Sequence, residues 1–166
     1  MSRAFTVRPT EAGDIDALMT LVKASWARTY DPIIGEAERN RISGAKHVRS
    51  LFESEYASPD AFGFVACDAE GRIVAQAAGE WRQGGAAFID RIHVEPDWKG
   101  SGVAMALVEA VAALADKRHA PVELTVLRGN DRAIAFYRKA GFEQIEEAPG
   151  LGTTPADLMR RPAGLA

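Results

Sequence analysis

The spacing of apolar residues predicts a short strand and helices in the first third of the chain. An apolar segment at 5–8, "FTVR", is stopped by Pro9 and is typical of a short strand. The segment 36–54 is polar with sparse apolar positions and predicts one or two helices, with a break at Ser43 and Gly44. Between these segments, five apolar residues at helical spacing predict a first helix: Ile15, Leu18, Met19, Val22 and Trp26.

Residues 61–95 have the pattern of an antiparallel meander. The apolar segments 61–68 and 72–81 flank a glycine-containing turn, "AEG". A second turn is indicated by Gly84 and Gly85, and the following segment, 86–96, predicts a third strand that Pro96 ends.

The second half of the chain predicts a strand–helix–strand unit followed by a helix. The segment 122–127 alternates apolar and polar residues, so a strand follows the helix, and this order favours a parallel crossover. In the next helix, Asn130 or Asp131 can cap the start and Gly141 can end it in a left-handed conformation. Closing strands are expected at 142–147 and 156–161. The first helix of this unit has its apolar face at Val103, Leu107, Val111 and Leu114.

The order of elements predicts one domain, residues 1–166, of the mixed α/β or α+β class. A meander followed by βαβα gives one central sheet covered by helices. A length of 166 residues is in the range of a single domain that buries a sizeable core.

Composition excludes few functions. A net charge of −3 disfavours nucleic acid and membrane surfaces as partners, because both are polyanionic. The one cysteine, Cys67, cannot form an internal disulfide and is expected to be buried, which fits a cytoplasmic location. No apolar stretch has the length of a signal-peptide core or a membrane span.

The stretch "DWKGSGVAMALV" places Gly100 and Gly102 directly before a helix. A helix N-terminus exposes unpaired N–H groups, and glycine allows a phosphate to approach the backbone closely. We interpret the loop as a phosphate site; a tight turn that binds nothing is the alternative. The chain has no Walker A motif, and Met105 stands where a dinucleotide fingerprint needs its third glycine, so ATP and NAD are disfavoured.

Two motifs together resemble the GNAT (GCN5-related N-acetyltransferase) superfamily. The family's loop pattern, Q/R-x-x-G-x-G/A, matches Lys99, Gly100, Ser101, Gly102, Val103 and Ala104, with Lys99 replacing the usual Gln or Arg. The second motif matches at Asn130, Ala133, Phe136, Tyr137, Gly141 and Phe142.

The resemblance implies a fold and a cosubstrate. The fold would be a central, mostly antiparallel sheet with a C-terminal βαβα unit and flanking helices. The cosubstrate would be acetyl-CoA or another acyl-CoA, with Lys99 and Ser101 in its binding loop and Asn130 and Tyr137 beside its arm. By resemblance, the pantetheine arm would pair with strand backbone at Ile92, His93 and Val94, and the pyrophosphate would be held by amides of Gly100, Gly102, Val103 and Ala104.

The reaction implied is attack of an amine on a thioester, which needs an acid for the leaving thiolate and a base for the amine. Tyr137 is the candidate acid; packing in the core is its alternative role. Glu80 and Asp90 are the candidate bases, with a solvated strand position as the alternative for each. Asp90 would lie on an otherwise apolar strand face unless a β-bulge changes the alternation. His47 and His119 are expected at the surface, and the histidines have no metal-ligand spacing, so no metal is predicted.

Three functional classes remain open. The first is an enzyme that acetylates a primary amine of a small molecule or peptide, its acceptor pocket lined by Trp26, Tyr30 and Trp81. The second is a non-catalytic acyl-CoA-binding regulatory module, and the third is an interaction domain that binds no ligand. A homodimer is expected by family analogy.

Overall fold

A seven-stranded sheet forms the centre of the protein. The structure is a computed structural model that describes residues 3–164. Its strands are arranged in the order β1-β2-β3-β4-β5-β7-β6. The strands are β1 Thr6–Pro9, β2 Ala61–Cys67, β3 Ile73–Trp81, β4 Ala87–Val94, β5 Val122–Leu127, β6 Glu143–Leu151 and β7 Thr154–Arg161.

The helices follow the predicted order, with one difference in the N-terminal part. The polar segment forms two helices, but they are separated at His47 and Val48 and not at Ser43 and Gly44. Gly44 lies within the first of them, where a Cβ would meet no atom within 4 Å. The helices are α1 Ile15–Ile34, α2 Glu36–Lys46, α3 Arg49–Ala57, α4 Val103–Asp116 and α5 Asp131–Lys139.

The sheet is mostly antiparallel, as the resemblance implied. Strands β1 to β4 pair antiparallel in sequence order, so the predicted meander is confirmed. Helix α4 crosses from β4 to the parallel strand β5, and β7 and β6 complete the sheet antiparallel to each other. This is the mixed α/β fold expected from the order of elements.

The two faces of the sheet carry separate apolar cores. The larger core lies under α4, where Leu107, Val108 and Val111 are fully buried. The smaller core lies under α1 and α3 and includes Val22 and Phe52. Cys67 is buried in the smaller core, as predicted. Alternating strand residues supply both cores, so side chains on β4 can serve either face.

Strands β4 and β5 separate soon after they meet. Their pairing is confined to Ala87 with Val122 and Phe88 with Glu123. Beyond these pairs β4 stays bonded to β3 and β5 stays bonded to β7. A cleft therefore opens between the C-terminal halves of β4 and β5, and the facing edge of β4 has no strand partner there.

Candidate active site

The glycine loop lies at the end of β4 and leads into α4. Gly100 and Gly102 have φ of 80° and 89°, a conformation that other residues rarely adopt. A Cβ at either position would meet no protein atom within 4 Å, so the space above the loop is open. No side chain caps the N-terminus of α4, which leaves first-turn amides for an external acceptor. The loop has the properties of an anion site.

Hydrogen bonds and packing hold the loop in place. Trp98 is buried at its base, and the Ser101 hydroxyl donates to the Trp98 carbonyl over 2.5 Å. The Val103 amide donates to the same hydroxyl oxygen over 3.3 Å, so this amide already has an internal partner. A role of the Gly100, Gly102 and Ala104 amides in holding a phosphate stays a prediction. Lys99 is exposed and forms no ion pair among residues 3–164.

A β-bulge interrupts β4 at the edge of the cleft. Ala78 of β3 pairs with Arg91, whereas the next residue, Gly79, pairs with Ile89. Asp90 is therefore the extra residue of β4, and the bulge that the sequence left open is present. The Asp90 side chain is 62% exposed. Without the bulge, strand alternation would place the acidic Asp90 on an apolar face of the sheet. The bulge takes Asp90 out of this alternation, so the carboxylate does not have to lie on the apolar face.

The bulge also fixes which way the rest of β4 faces. Ile92 and Val94 pack against the core under α4. Arg91 and His93 turn to the opposite face, where they contact α3 and α1 through Glu55 and Ser25. The backbone of 92–94 still pairs with β3 on one edge only. This free edge has a geometry that suits pairing with a pantetheine arm. The docking role of Ile92, His93 and Val94 stays a prediction.

Tyr137 of α5 lies in an apolar setting. Its ring packs against Phe136 and Phe142, with centroid distances of 5.2 and 5.6 Å. Burial is the main cause that raises the pKa of Tyr137 to about 12, and the neighbouring phenol of Tyr30 contributes. Tyr137 is thus held protonated throughout the physiological pH range, as a proton donor requires.

Tyr30 of α1 connects Tyr137 with the bulge. Burial raises the pKa of Tyr30, and the negative charge of Asp90 raises it further. Tyr30 therefore interacts electrostatically with both Asp90 and Tyr137. The three side chains come from α1, β4 and α5, which are far apart in sequence. These influences on the pKa values indicate that the three side chains lie near one another.

The structure does not bring Glu80 into this group. Glu80 pairs with Phe88, at the closed end of the β4–β5 cleft. Its carboxylate is exposed and forms an ion pair with Arg82, with Oε1 3.2 Å from Arg82 Nε. Of the two candidate bases, Asp90 is the one at the cleft.

Asn130 is the N-cap of α5. Its side-chain oxygen accepts a hydrogen bond from the Ala133 amide at 3.3 Å, which confirms the predicted cap. This bond satisfies a free amide of the first helical turn. Contact between Asn130 and a cofactor arm stays a prediction.

The prediction of a surface position was wrong for His47 and right for His119. His47 is buried, its Nδ1 is 2.7 Å from Ser43 Oγ, and its ring contacts Trp26 edge-on. Burial, assisted by the charge of Arg91, lowers the pKa of His47 to about 4. His47 lies where α2 ends, and its burial depends on how α2 packs, which the polar local sequence does not show. His119 is exposed.

His93 is also buried, with Nδ1 2.7 Å from Ser25 Oγ. Burial, followed by the charge of Arg91, lowers the pKa of His93 to about 3. A neutral histidine on this face is a structural part of the layer under α1.

The expected aromatic lining of an acceptor pocket is only partly present. Trp26 is buried in the smaller core and packs on Tyr30 at 4.4 Å. Trp81 lies on the α4 face of the sheet, near Phe62 and under the guanidinium of Arg118. A role of Trp81 in an acceptor pocket stays a prediction, although β3 alternation turns its ring to the face opposite α1.

No helix within residues 3–164 has the length and apolar character needed to cross a bilayer. In the same residues, no three His, Cys, Asp or Glu side chains form a group that could bind a metal ion.

Comparison with known proteins identifies the family. The model of the Acetyltransferase (GNAT) family matches residues 25–142, more than half of the chain. An uncharacterized N-acetyltransferase of Methanocaldococcus jannaschii is 36% identical over 168 aligned positions, which cover 89% of this chain and 65% of that protein. A thialysine N-epsilon-acetyltransferase of Bos taurus is 33% identical over 64 positions, 38% of each chain. The chain thus spans less than two thirds of the length of these relatives.

Solved structures share the fold at low identity. The PaiA N-acetyltransferase of Thermoplasma acidophilum, solved in complex with coenzyme A, has a TM-score of 0.83 at 18% identity, covering 96% of this chain and 99% of that chain. The ribosomal-protein-S18-alanine N-acetyltransferase of Escherichia coli has a TM-score of 0.73 at 22% identity, covering 98% and 96%. By its family match, its fold and its two motifs, the chain belongs to the GNAT acetyltransferase family.

Proposed function

We propose that the protein transfers the acetyl group of acetyl-CoA directly to a primary amine of a small molecule or peptide. The observation that carries the proposal is the β4–β5 cleft, which has the open glycine loop and the start of α4 beyond the end of β4 and the Asp90 bulge on its β4 side. Membership of the GNAT family supports the same reaction.

The residues of the cleft fit acetyl-CoA. The open loop with free amides suits a pyrophosphate, and the unpaired edge of β4 suits an extended arm with amide groups. The Thermoplasma neighbour, which has the same fold, was solved with coenzyme A. Gly102, Ala104 and the backbone of 92–94 would hold the cosubstrate, and Lys99 would add positive charge beside the phosphates.

The reaction needs two proton transfers, and Asp90 and Tyr137 each carry out one. Acetyl-CoA supplies the electrophilic thioester carbonyl and a thiolate leaving group. A protonated amine must lose a proton before it attacks, since alkyl ammonium groups have a pKa of about 10. The Asp90 carboxylate accepts this proton, directly or through water. Tyr137 holds a proton on its phenol oxygen and donates it to the departing sulfur.

The acceptor is a cationic amine on this account. Asp90 is exposed at the mouth of the bulge, where it attracts an ammonium group. One similar protein is named for acetylation of the side-chain amine of thialysine, and another for acetylation of an alanine of a ribosomal protein. The test therefore includes both small-molecule amines and a peptide amine.

The test is acceptor-dependent release of coenzyme A, with the acetylated product identified by mass spectrometry. The panel contains lysine, spermidine and a peptide with a free N-terminus, each beside its N-acetylated form as matched control. We expect release with one free amine and none with its blocked form. Binding of acetyl-CoA without transfer to any amine would contradict the proposal and select the non-catalytic binding module.

A further inference from the structure

A cavity of about 380 Å³ lies beneath α1 and α3, away from the glycine loop. This volume is in the range of small-molecule sites, about 300–1,000 Å³. The cavity extends round the edge of β2, because β1 pairs only as far as Phe64 and does not reach 61–62. Its apolar walls under α1 and α3 include Ile15, Leu18, Phe52 and Ala78.

Two buried hydrogen-bond donors in the lining have no partner. Gln76 is 1% exposed, and its Nε2 has no partner among residues 3–164. The Nε of Arg91 is also buried without a partner, although the two terminal nitrogens bind Glu55 at 3.0 and 2.7 Å. Buried polar groups are normally hydrogen-bonded. Because both unpaired groups are donors, an occupant of the cavity must bring acceptors.

The charge of the lining favours an anionic occupant. Arg91 is already balanced, since it pairs with Glu55 at 2.7 Å and with Asp90 at 3.5 Å. Arg118, which also lines the cavity, stacks on Trp81 at 4.0 Å and forms no ion pair within residues 3–164. One positive charge is left over beside apolar walls.

We propose that this cavity is a second ligand site, for a small carboxylate with an apolar body. The carboxylate accepts from Gln76 Nε2 and Arg91 Nε, and the apolar part lies against Leu18 and Phe52. The glycine loop and Asp90 do not line this cavity, although Arg91 pairs with Asp90 at 3.5 Å. The site uses the first turn of α1, whereas Tyr30 lies 12 residues beyond Leu18, about 18 Å along the helix.

Isothermal titration with octanoate tests the proposal, with octylamine as the matched probe of opposite charge. Octanoate should bind one site per chain, at least about tenfold tighter than octylamine, because only the carboxylate accepts from both donors. Saturating coenzyme A should leave octanoate binding unchanged. The result does not depend on any transferase activity.

Three variants separate the site from general surface effects. Gln76→Leu should weaken octanoate binding at least about tenfold. Because Gln76 is buried and its replacement can disturb folding, the exposed Arg118→Gln is the second variant, and it should weaken binding and reduce its salt dependence. Arg82→Gln is the matched control: Arg82 also stacks on an aromatic ring, Phe88, at 3.9 Å, but does not line the cavity.

The proposal is overturned if octanoate does not bind, if octylamine binds equally well, or if coenzyme A displaces octanoate. Equal effects of Arg118→Gln and Arg82→Gln would also contradict it.

Discussion

Tyr137, Tyr30 and Asp90 form an electrostatically connected group although they come from three different elements. Burial raises the pKa of both phenols, and smaller contributions come from Asp90 to the pKa of Tyr30 and from Tyr30 to the pKa of Tyr137. A buried phenol beside a leaving thiolate can donate a proton, and an exposed carboxylate can accept one. The individual side chains can therefore be assigned opposite roles in the proposed reaction.

Replacement of Tyr137 by Phe tests the proposed acid. Phe keeps the ring contacts with Phe136 and Phe142 but removes the proton. We expect turnover to fall by about 10²-fold or more, while acetyl-CoA affinity changes little. Steady-state kinetics and calorimetry measure the two quantities. Unchanged turnover would remove Tyr137 from the mechanism.

Replacement of Asp90 by Asn tests the proposed base, with Glu80→Gln as the matched control. Both carboxylates pair with an arginine, Asp90 with Arg91 at 3.5 Å and Glu80 with Arg82 at 3.2 Å, but Asp90 lies at the bulge and Glu80 at the closed end of the cleft. We expect D90N to lower kcat by at least about tenfold and E80Q to leave it nearly unchanged. The loss in D90N should shrink as the pH rises towards the pKa of the acceptor amine. The reverse order of the two variants would assign the base to Glu80.

At the scale of elements, the glycine loop and the separated strands create the binding cleft. The loop needs glycine for its backbone conformation, and the open space above it leaves room for a ligand. Its position at the end of β4 brings an anion site next to an unpaired strand edge. One extended ligand can therefore contact both.

Replacement of Gly102 by Ala should weaken acetyl-CoA binding. Gly85, in the β3–β4 turn, is the matched control, because its φ of 95° and its open surroundings resemble those of Gly102 at 89°. Both variants should lose about 1–2 kcal/mol of stability from the left-handed conformation. Only Gly102→Ala should lose affinity, measured by calorimetry. Equal affinities in both variants would show that Gly102 only turns the chain.

Local patterns predict the elements well and their interruptions less well. Strand alternation and glycine turns correctly predicted the meander, and the Asn130 cap and the Gly141 stop were correct. The break between α2 and α3 was misplaced, because the packing of His47 and not a local glycine ends α2. The bulge at Asp90 depends on pairing with β3, so the sequence could only leave it open.

At the scale of the whole molecule, burial decides what the candidate side chains can do. The surface position predicted for His47 was wrong, because its environment is formed by elements distant in sequence. The unpaired donors of Gln76 and Arg91 lie on strands whose alternation gives no sign of a cavity. The glycine loop, by contrast, is a continuous local motif, and its position at the start of α4 could be predicted.

The two buried histidines should make the fold sensitive to mild acid. Their folded pKa values, about 4 for His47 and about 3 for His93, lie below the unfolded value of about 6.5. The unfolded chain therefore binds more protons as the pH falls. Stability is full above about pH 6.5 and falls below it, by up to about 1.4 kcal/mol per pH unit for each histidine.

Denaturant unfolding between pH 7 and about 5.5 measures this dependence, above the range in which most carboxylates titrate. His93→Gln should reduce the slope by about half, since one of two groups is removed. His119→Gln, at an exposed position, should leave it unchanged. A flat wild-type profile would mean that neither histidine is held neutral by the fold.

The central claim is that the glycine loop and the β4 edge bind acetyl-CoA, and calorimetric titration tests it most directly. The wild-type protein is titrated with acetyl-CoA and, as control, with AMP. The account predicts saturable binding of acetyl-CoA at one site per chain and much weaker binding of AMP, which lacks the pyrophosphate and the pantetheine arm. No binding of acetyl-CoA, or equal binding of AMP, would contradict it.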